Sequence, residues 1–236
     1  MVATIEVLKL QRKFGDFVAI DDVTLSIDKG ETLAILGPNG AGKTTLIKIL
    51  STLLRPTSGT IRINGHDITE EAEEVKKQIG VVSHNSFLYE ELTARENLEF
   101  YSRLFGISDN KKIDALLDAV KLHFRADDLV GTFSRGMFQR LSIARSLLHE
   151  PEVLLLDEPT TGLDVKSKHT FLEMIKEQNM KGRTIVLTTH HLEEAEELCQ
   201  KAAIIDRGRV IKTGTIEEIK RKVESLEEAF LRLTKG

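Results

Sequence analysis

The sequence predicts an α/β fold, and three observations predict it. Short continuous apolar runs, such as Leu33-Ala34-Ile35-Leu36 and Val153-Leu154-Leu155-Leu156, read as strands buried on both faces. Helical patterns alternate with such strands at both ends of the chain. A helical stretch at about 86–150 interrupts that alternation.

The elements follow in order. Ile5, Val7, Leu8 and Leu10, then Val23, Leu25 and Ile27, alternate as antiparallel strands do, and the pair ends at the turn Asp28-Lys29-Gly30. The buried strand 33–36 leads into a Gly-rich loop and a helix over about 43–54. Residues 60–63 and 79–83 read as short strands. Residues 93–122 carry helical periodicity, opened by the capping box Thr93-Ala94-Arg95-Glu96. A further helix over about 134–149 stops before Pro151. Strand and helix then alternate: 153–157, 165–180, 184–189, 191–199. A hairpin over 202–213 turns at Arg207-Gly208, and helices begin at the boxes Thr215…Glu218 and Ser225…Glu228. The reading is one domain, 1–236, with an α/β core of 1–85 and 151–236 and a helical subdomain of 86–150.

Composition narrows the classes. The 236 residues fit one large domain or a domain plus a subdomain, and 41% hydrophobic content suffices for a packed core. The formal charge of −4 provides no basic field, so no nucleic-acid partner is expected. The lone Cys199 excludes an internal disulfide and suits a cytoplasmic setting. Residues 1–14 have no apolar stretch of the kind a leader carries, and no apolar run is long enough to span a bilayer.

Gly37-Pro38-Asn39-Gly40-Ala41-Gly42-Lys43-Thr44 fits the phosphate-loop pattern G-x-x-x-x-G-K-[ST] between a strand and a helix. Glycines let successive N–H groups converge on phosphate oxygens, and the helix N-terminus adds a favourable dipole. Lys43 is placed on the β- and γ-phosphates and the Thr44 hydroxyl on Mg²⁺; Thr45 is assigned to the same phosphate site. A second strand ends in Asp157-Glu158. Successive strand side chains point oppositely, so the two acids take different tasks. Asp157 suits the Mg²⁺ shell and Glu158 a general base acting on water.

With those motifs the sequence resembles the ATP-binding cassette (ABC transporter nucleotide-binding) family over essentially its whole length. Phe14-Gly15, followed by Ala19-Ile20, matches the loop whose aromatic ring stacks on adenine. Ser134-Arg135-Gly136-Met137 with Gln139-Arg140 matches the signature region, Thr161-Gly162-Leu163-Asp164 the loop that reaches across a dimer, and Thr188-Thr189-His190 the switch histidine. The resemblance implies a P-loop NTPase core of ABC ATPase type with an antiparallel β subdomain and an inserted helical subdomain. It implies ATP and Mg²⁺, and a head-to-tail homodimer or heterodimer in which Ser134 and Gly136 bind the γ-phosphate held by the other subunit. His190 then fixes the water relative to Glu158, and Asp164 links the two sites.

Three departures from the family pattern stand out. Arg135 and Met137 replace a Gly and a Gln of the usual signature, a variant similar to exporter-type members with separate membrane subunits. Haem, lipid and drug cargoes are all compatible with it. His84 stands where the family has a Gln that helps hold Mg²⁺, and is assigned to the metal site; the alternatives are that it bonds only a water or that Asn85 is the oxygen donor. Phe14 stands in place of the commoner Tyr. The expected setting is cytoplasmic, peripheral on the inner face of the cell membrane, with a separate transmembrane subunit. The alternative, a cassette acting on ribosomes or nucleic acid, is disfavoured by the single cassette and the near-neutral charge. A docking surface for the membrane subunit is expected near 85–92, with at least two of Phe87, Leu88, Tyr89 and Leu92 exposed.

Overall fold

The computed structural model describes residues 3–83, 87–220, 223 and 225–234. The chain opens with a long hairpin, β1 (Ala3–Phe14) and β2 (Phe17–Asp28), turning at Gly15-Asp16. Both strands run to twelve residues, longer than the alternation suggests. Register shifts break that alternation, with Lys9 and Asp22 both in the left-handed region at φ 47° and 54°. Strands β4 (Ser58–Ile63) and β5 (His66–Asp67) join them in a sheet ordered β2-β1-β4-β5.

The second sheet holds β3 (Thr32–Leu36), β6 (Ile79–Val82), β7 (Val153–Asp157), β8 (Thr184–Thr189), β9 (Lys201–Asp206) and β10 (Arg209–Thr215). Its order is β10-β9-β3-β8-β7-β6, and only the edge pair β10–β9 is antiparallel. Every residue of β3, β7 and β8 is buried, as their unbroken apolar runs require. The period of two divides these strands between two cores. Leu33, Ile35, Leu155 and Val186 pack with the antiparallel sheet and with α1 (Lys43–Leu50). Ala34, Leu36, Leu154, Leu156 and Leu187 pack with the helical side. Each fully buried aliphatic side chain in either core contributes ~1.5–3 kcal/mol relative to exposure.

The helical side comprises α3 (Ala94–Leu104), α4 (Asn110–Ala119), α5 (Arg135–Leu147), α6 (Val165–Met180), α7 (Leu192–Leu198), α8 (Ile216–Lys220) and α9 (Leu226–Thr234). The single helical stretch expected over 93–122 is two helices. Gly106, at φ 69°, ends α3, with its N–H bonded to Arg103 O and the Ile107 N–H to Ser102 O. Asp109 caps α4 three residues later. The capping box at Thr93 and Glu96 forms as read. A helix α2 (Ala72–Gln78) was not expected; its one buried residue, Val75, leaves no apolar stripe to read. The first helix stops at Leu50 rather than near 54, where Thr52 turns left-handed at φ 62°. Among the described residues no helix is long and apolar enough to cross a membrane.

Around the expected docking segment, Phe87 and Tyr89 are 45% and 46% exposed. Leu88 and Leu92 are half-buried. Arg145 lies over the rings of Phe87 and Tyr101, 5.6 and 5.1 Å from their centroids.

Candidate nucleotide-binding and hydrolysis site

The parallel strands end on one edge of the sheet, the usual place for ligands in such folds. β3 delivers the phosphate loop there, β7 the two acids, and β8 the switch histidine. Two glycines of the loop are dictated by close approach. A Cβ on Gly37 would stand 2.3 Å from the Ile205 carbonyl oxygen. Gly42 is left-handed at φ 105°, and its Cβ would lie 2.6 Å from the Ala19 carbonyl oxygen. The carbonyl belongs to the Phe14–Ile20 segment read as the adenine loop, so the hairpin packs directly on the phosphate loop. Gly42 caps α1 without a side chain, and the first-turn N–H groups stay available to an anion. Pro38, Asn39, Gly40 and Thr44 are exposed, Thr45 is half-buried and Ala41 is buried.

Lys43 is 6% exposed. Its Nζ donates to the Gly37 carbonyl at 2.7 Å and the Pro38 carbonyl at 3.1 Å, and lies 3.9 Å from Glu158 Oε1. Burial pushes its pKa down from the usual lysine value, opposed by the Glu158 and Asp157 carboxylates.

The two acids differ in surroundings, as expected, but not through strand alternation alone. Asp157 ends β7 and is buried. It accepts from the Thr188 hydroxyl at 2.6 Å and the Thr44 hydroxyl at 3.2 Å. Glu158 has already left the strand and is left-handed at φ 46°. A side chain other than Gly is held there at a cost of ~1–2 kcal/mol. Its N–H, shared between Thr188 O at 3.1 Å and Thr188 Oγ1 at 3.0 Å, holds that turn. The turn aims the carboxylate at His190, whose Nδ1 is 3.1 Å from Oε2. Thr161 Oγ1 donates to the same oxygen at 3.2 Å. A cavity of about 290 Å³ opens beside this group, between Gly37–Asn39, Glu158, Thr189, His190, Leu192 and Phe230.

Ser134, Gly136, Asp164 and Phe14 do not line that cavity. Ser134 caps α5 and accepts from the Met137 N–H at 3.3 Å. Asp164 caps α6 and accepts from Ser167 N at 3.0 Å and Ser167 Oγ at 2.6 Å. Those bonds hold its carboxyl below the usual aspartate range. The two caps belong to one surface. A Cβ on Gly136 would meet Ser167 Oγ at 2.4 Å, and one on Gly162 would meet Arg135 Nη1 at 2.5 Å. The Arg135 that departs from the family pattern therefore packs on the loop carrying Asp164. Phe14 is exposed, with the Arg12 guanidinium 4.4 Å above its ring. His84, assigned to the metal site from the sequence, lies outside the described residues, as does Asn85.

Several site residues were not singled out from the sequence. Thr188 was quoted in a motif but given no task, yet it joins both acids. Thr161 and Phe230 likewise face Glu158 or the cavity, and only the fold brings them there.

Comparison with known proteins agrees with this geometry. A family model described as ABC transporter matches residues 20–161. The Nod factor export ATP-binding protein I of Burkholderia orbicola (strain AU 1054) is 41% identical over 216 residues, covering 90% of this chain and 71% of its own. The solved structure of an ATP-binding subunit of an ABC transporter aligns with a TM-score of 0.89 at 35% identity, covering 98% of this chain and 99% of that one. A dimeric post-hydrolysis ATP-binding cassette bound to ADP and Pi aligns with a TM-score of 0.80 at 28% identity, covering 89% and 98%. A phosphate loop, a paired acid and histidine at one sheet edge, and relatives matched over nearly the whole chain lead to one conclusion: this chain belongs to the ABC transporter family, as an ATP-binding, ATP-hydrolysing subunit.

Proposed function

We propose that the chain energises an exporter by binding Mg-ATP at the β3, β7 and β8 edge and hydrolysing it in a head-to-tail pair of cassettes. The observation that carries this is Glu158. Its carboxylate has one oxygen facing Lys43 and the other held by His190 and Thr161. Such an acceptor, fixed beside a phosphate loop, is suited to orient and deprotonate water. Lys43 and the first-turn N–H groups of α1 bind the β- and γ-phosphates, and Phe14 stacks on the base. His190 holds Glu158 and contacts the γ-phosphate.

The donors fit a hard divalent cation: Thr44 Oγ1 and Asp157 Oδ1 are oxygens 3.2 Å apart. When bound there, Mg²⁺ neutralises charge on the transferring phosphate. Assignment of His84 to the same cation rests on its place after β6 in the sequence.

Placement of Ser134, Gly136 and Asp164 outside the cavity supports a site completed by a second cassette, identical or not. The whole chain, 1–236, then acts as one cassette, with the helical part, 86–150, presenting the signature residues. The exposed Phe87 and Tyr89 suit a separate transmembrane subunit, which places the cassette peripherally on the inner face of the cell membrane. The relative whose name specifies Nod factor export supports the outward direction.

Glu158→Gln tests the reading. The amide keeps the shape and loses the base, so turnover falls ~10²–10⁴-fold. ATP binding persists, and a nucleotide-loaded dimer accumulates, measured by phosphate release and light scattering. A Glu158→Gln protein that turns over at the wild-type rate and stays monomeric would overturn it.

A further inference from the structure

Among the described residues, the carboxylate most deeply buried is one outside the groups assigned above. Glu194, in α7, is 2% exposed. Donors reach it from three directions. The Thr160 hydroxyl lies 2.8 and 2.7 Å from its two oxygens. The Thr189 hydroxyl donates to Oε2 at 3.1 Å. Lys168 Nζ stands 2.8 Å from Oε1. Thr160 and Thr189 are themselves buried, at 3% and 1% exposure.

The three donors belong to three separate segments. Thr160 is two residues past Glu158, Thr189 immediately precedes His190, and Lys168 lies one helical turn past Asp164. Each therefore adjoins a residue placed at the nucleotide or across the dimer. Taking a carboxylate out of water is costly, and the cost is met only by well-directed donors. Apolar residues of the same volume would hold α7 on the sheet without that penalty. What a carboxylate adds is direction: it fixes the loop 159–164 against the end of β8, where nonpolar packing would let the two slide.

We propose that Glu194 is a positioning residue for ATP hydrolysis, a clamp that holds the Thr160 loop to the Thr189 turn and so keeps Glu158 in register with His190. Glu194 touches neither the phosphate loop nor the cavity. It acts through the 3.1 Å contact between Glu158 and His190. The inference rests on the assignment of those two residues above.

The test is steady-state ATPase kinetics of the full chain, with affinity for a fluorescent ATP analogue measured in parallel. Glu194→Gln keeps the volume but turns two acceptors into one acceptor and one donor facing hydroxyls and an ammonium. It should lower kcat by about tenfold or more while analogue affinity stays within about twofold. Thr160→Val should lower kcat in the same way, and Thr160→Ser, which restores the hydroxyl, should recover it. The Thr160 pair decides the matter if Glu194→Gln does not fold. Wild-type kcat in folded Glu194→Gln, equal kcat in Thr160→Val and Thr160→Ser, or a parallel fall of kcat and analogue affinity would each overturn the clamp. Glu158→Gln run alongside separates the two readings. If it is inactive while Glu194→Gln is normal, only the clamp fails. If it turns over normally, the assignment of Glu158 fails as well.

Discussion

The phosphate-loop edge and the signature surface are both made of capped turns and helix starts, yet they are organised differently. At the phosphate-loop edge the side chains converge on one another: Lys43 on Glu158, Glu158 on His190, Thr44 and Thr188 on Asp157. At the signature surface Ser134 and Asp164 each satisfy their own helix, and the two helix starts are packed together through Gly136 and Ser167. The first region has the internal contacts of a reaction centre. The second has those of two packed helix starts, the face that the proposed reading gives to a second cassette. On the proposed reading, a half-site of each kind on one chain calls for a second cassette.

Three substitutions sharpen or break that contrast. The largest effect is expected for Lys43→Ala, in the converging region. It removes charge-assisted bonds to phosphate worth ~1.5–3 kcal/mol, so affinity of the isolated subunit for ATP falls about 10- to 100-fold by equilibrium binding. Unchanged affinity would mean that the loop backbone alone holds the nucleotide.

Ser134→Ala should separate binding from turnover. Loss of the cap costs about 1 kcal/mol in thermal or urea unfolding. Affinity of the monomer for ATP should stay at the wild-type level while kcat falls about tenfold, since the proposed reading gives the serine to the partner's nucleotide. If monomer affinity drops with kcat, the signature surface belongs to the same chain's site and the contrast collapses.

The smallest effect is expected for Thr93→Ala, in the helical side but away from both regions. It breaks the Thr93–Glu96 box and costs about 1 kcal/mol in unfolding. ATPase activity of the folded protein should be unchanged. A loss of activity there would show that α3 tilts the signature surface.

Most of the α/β frame was readable because burial on two faces forces unbroken apolar strands, as in β3, β7 and β8. The reading failed where the periodic signal is weak or interrupted. Helix α2 offers one buried residue, β1 and β2 lose their alternation at bulges, and Gly106 cuts a helical pattern whose apolar spacing continues across it. In the site, motif residues were legible because phosphate chemistry restricts residue type and spacing together. Thr188 and Glu194 were not, because each meets a partner more than thirty residues away, Asp157 and Thr160, that only the fold brings near. The left-handed turn at Glu158 has no sequence mark, since glutamate is an unusual residue to place there.

The strand order has a consequence for how the protein is made. β3, which ends in the phosphate loop, has as neighbours only β8 and β9. During synthesis it leaves the ribosome more than 140 residues before either partner is complete. Until then its apolar residues and two unpaired edges depend on the hairpin and α1 for cover, or on chaperones. Gly37 meets the Ile205 carbonyl only when β9 docks. The wall of the nucleotide site is therefore complete only once the chain through β9 is present, and truncation anywhere before about residue 206 should leave a chain without it.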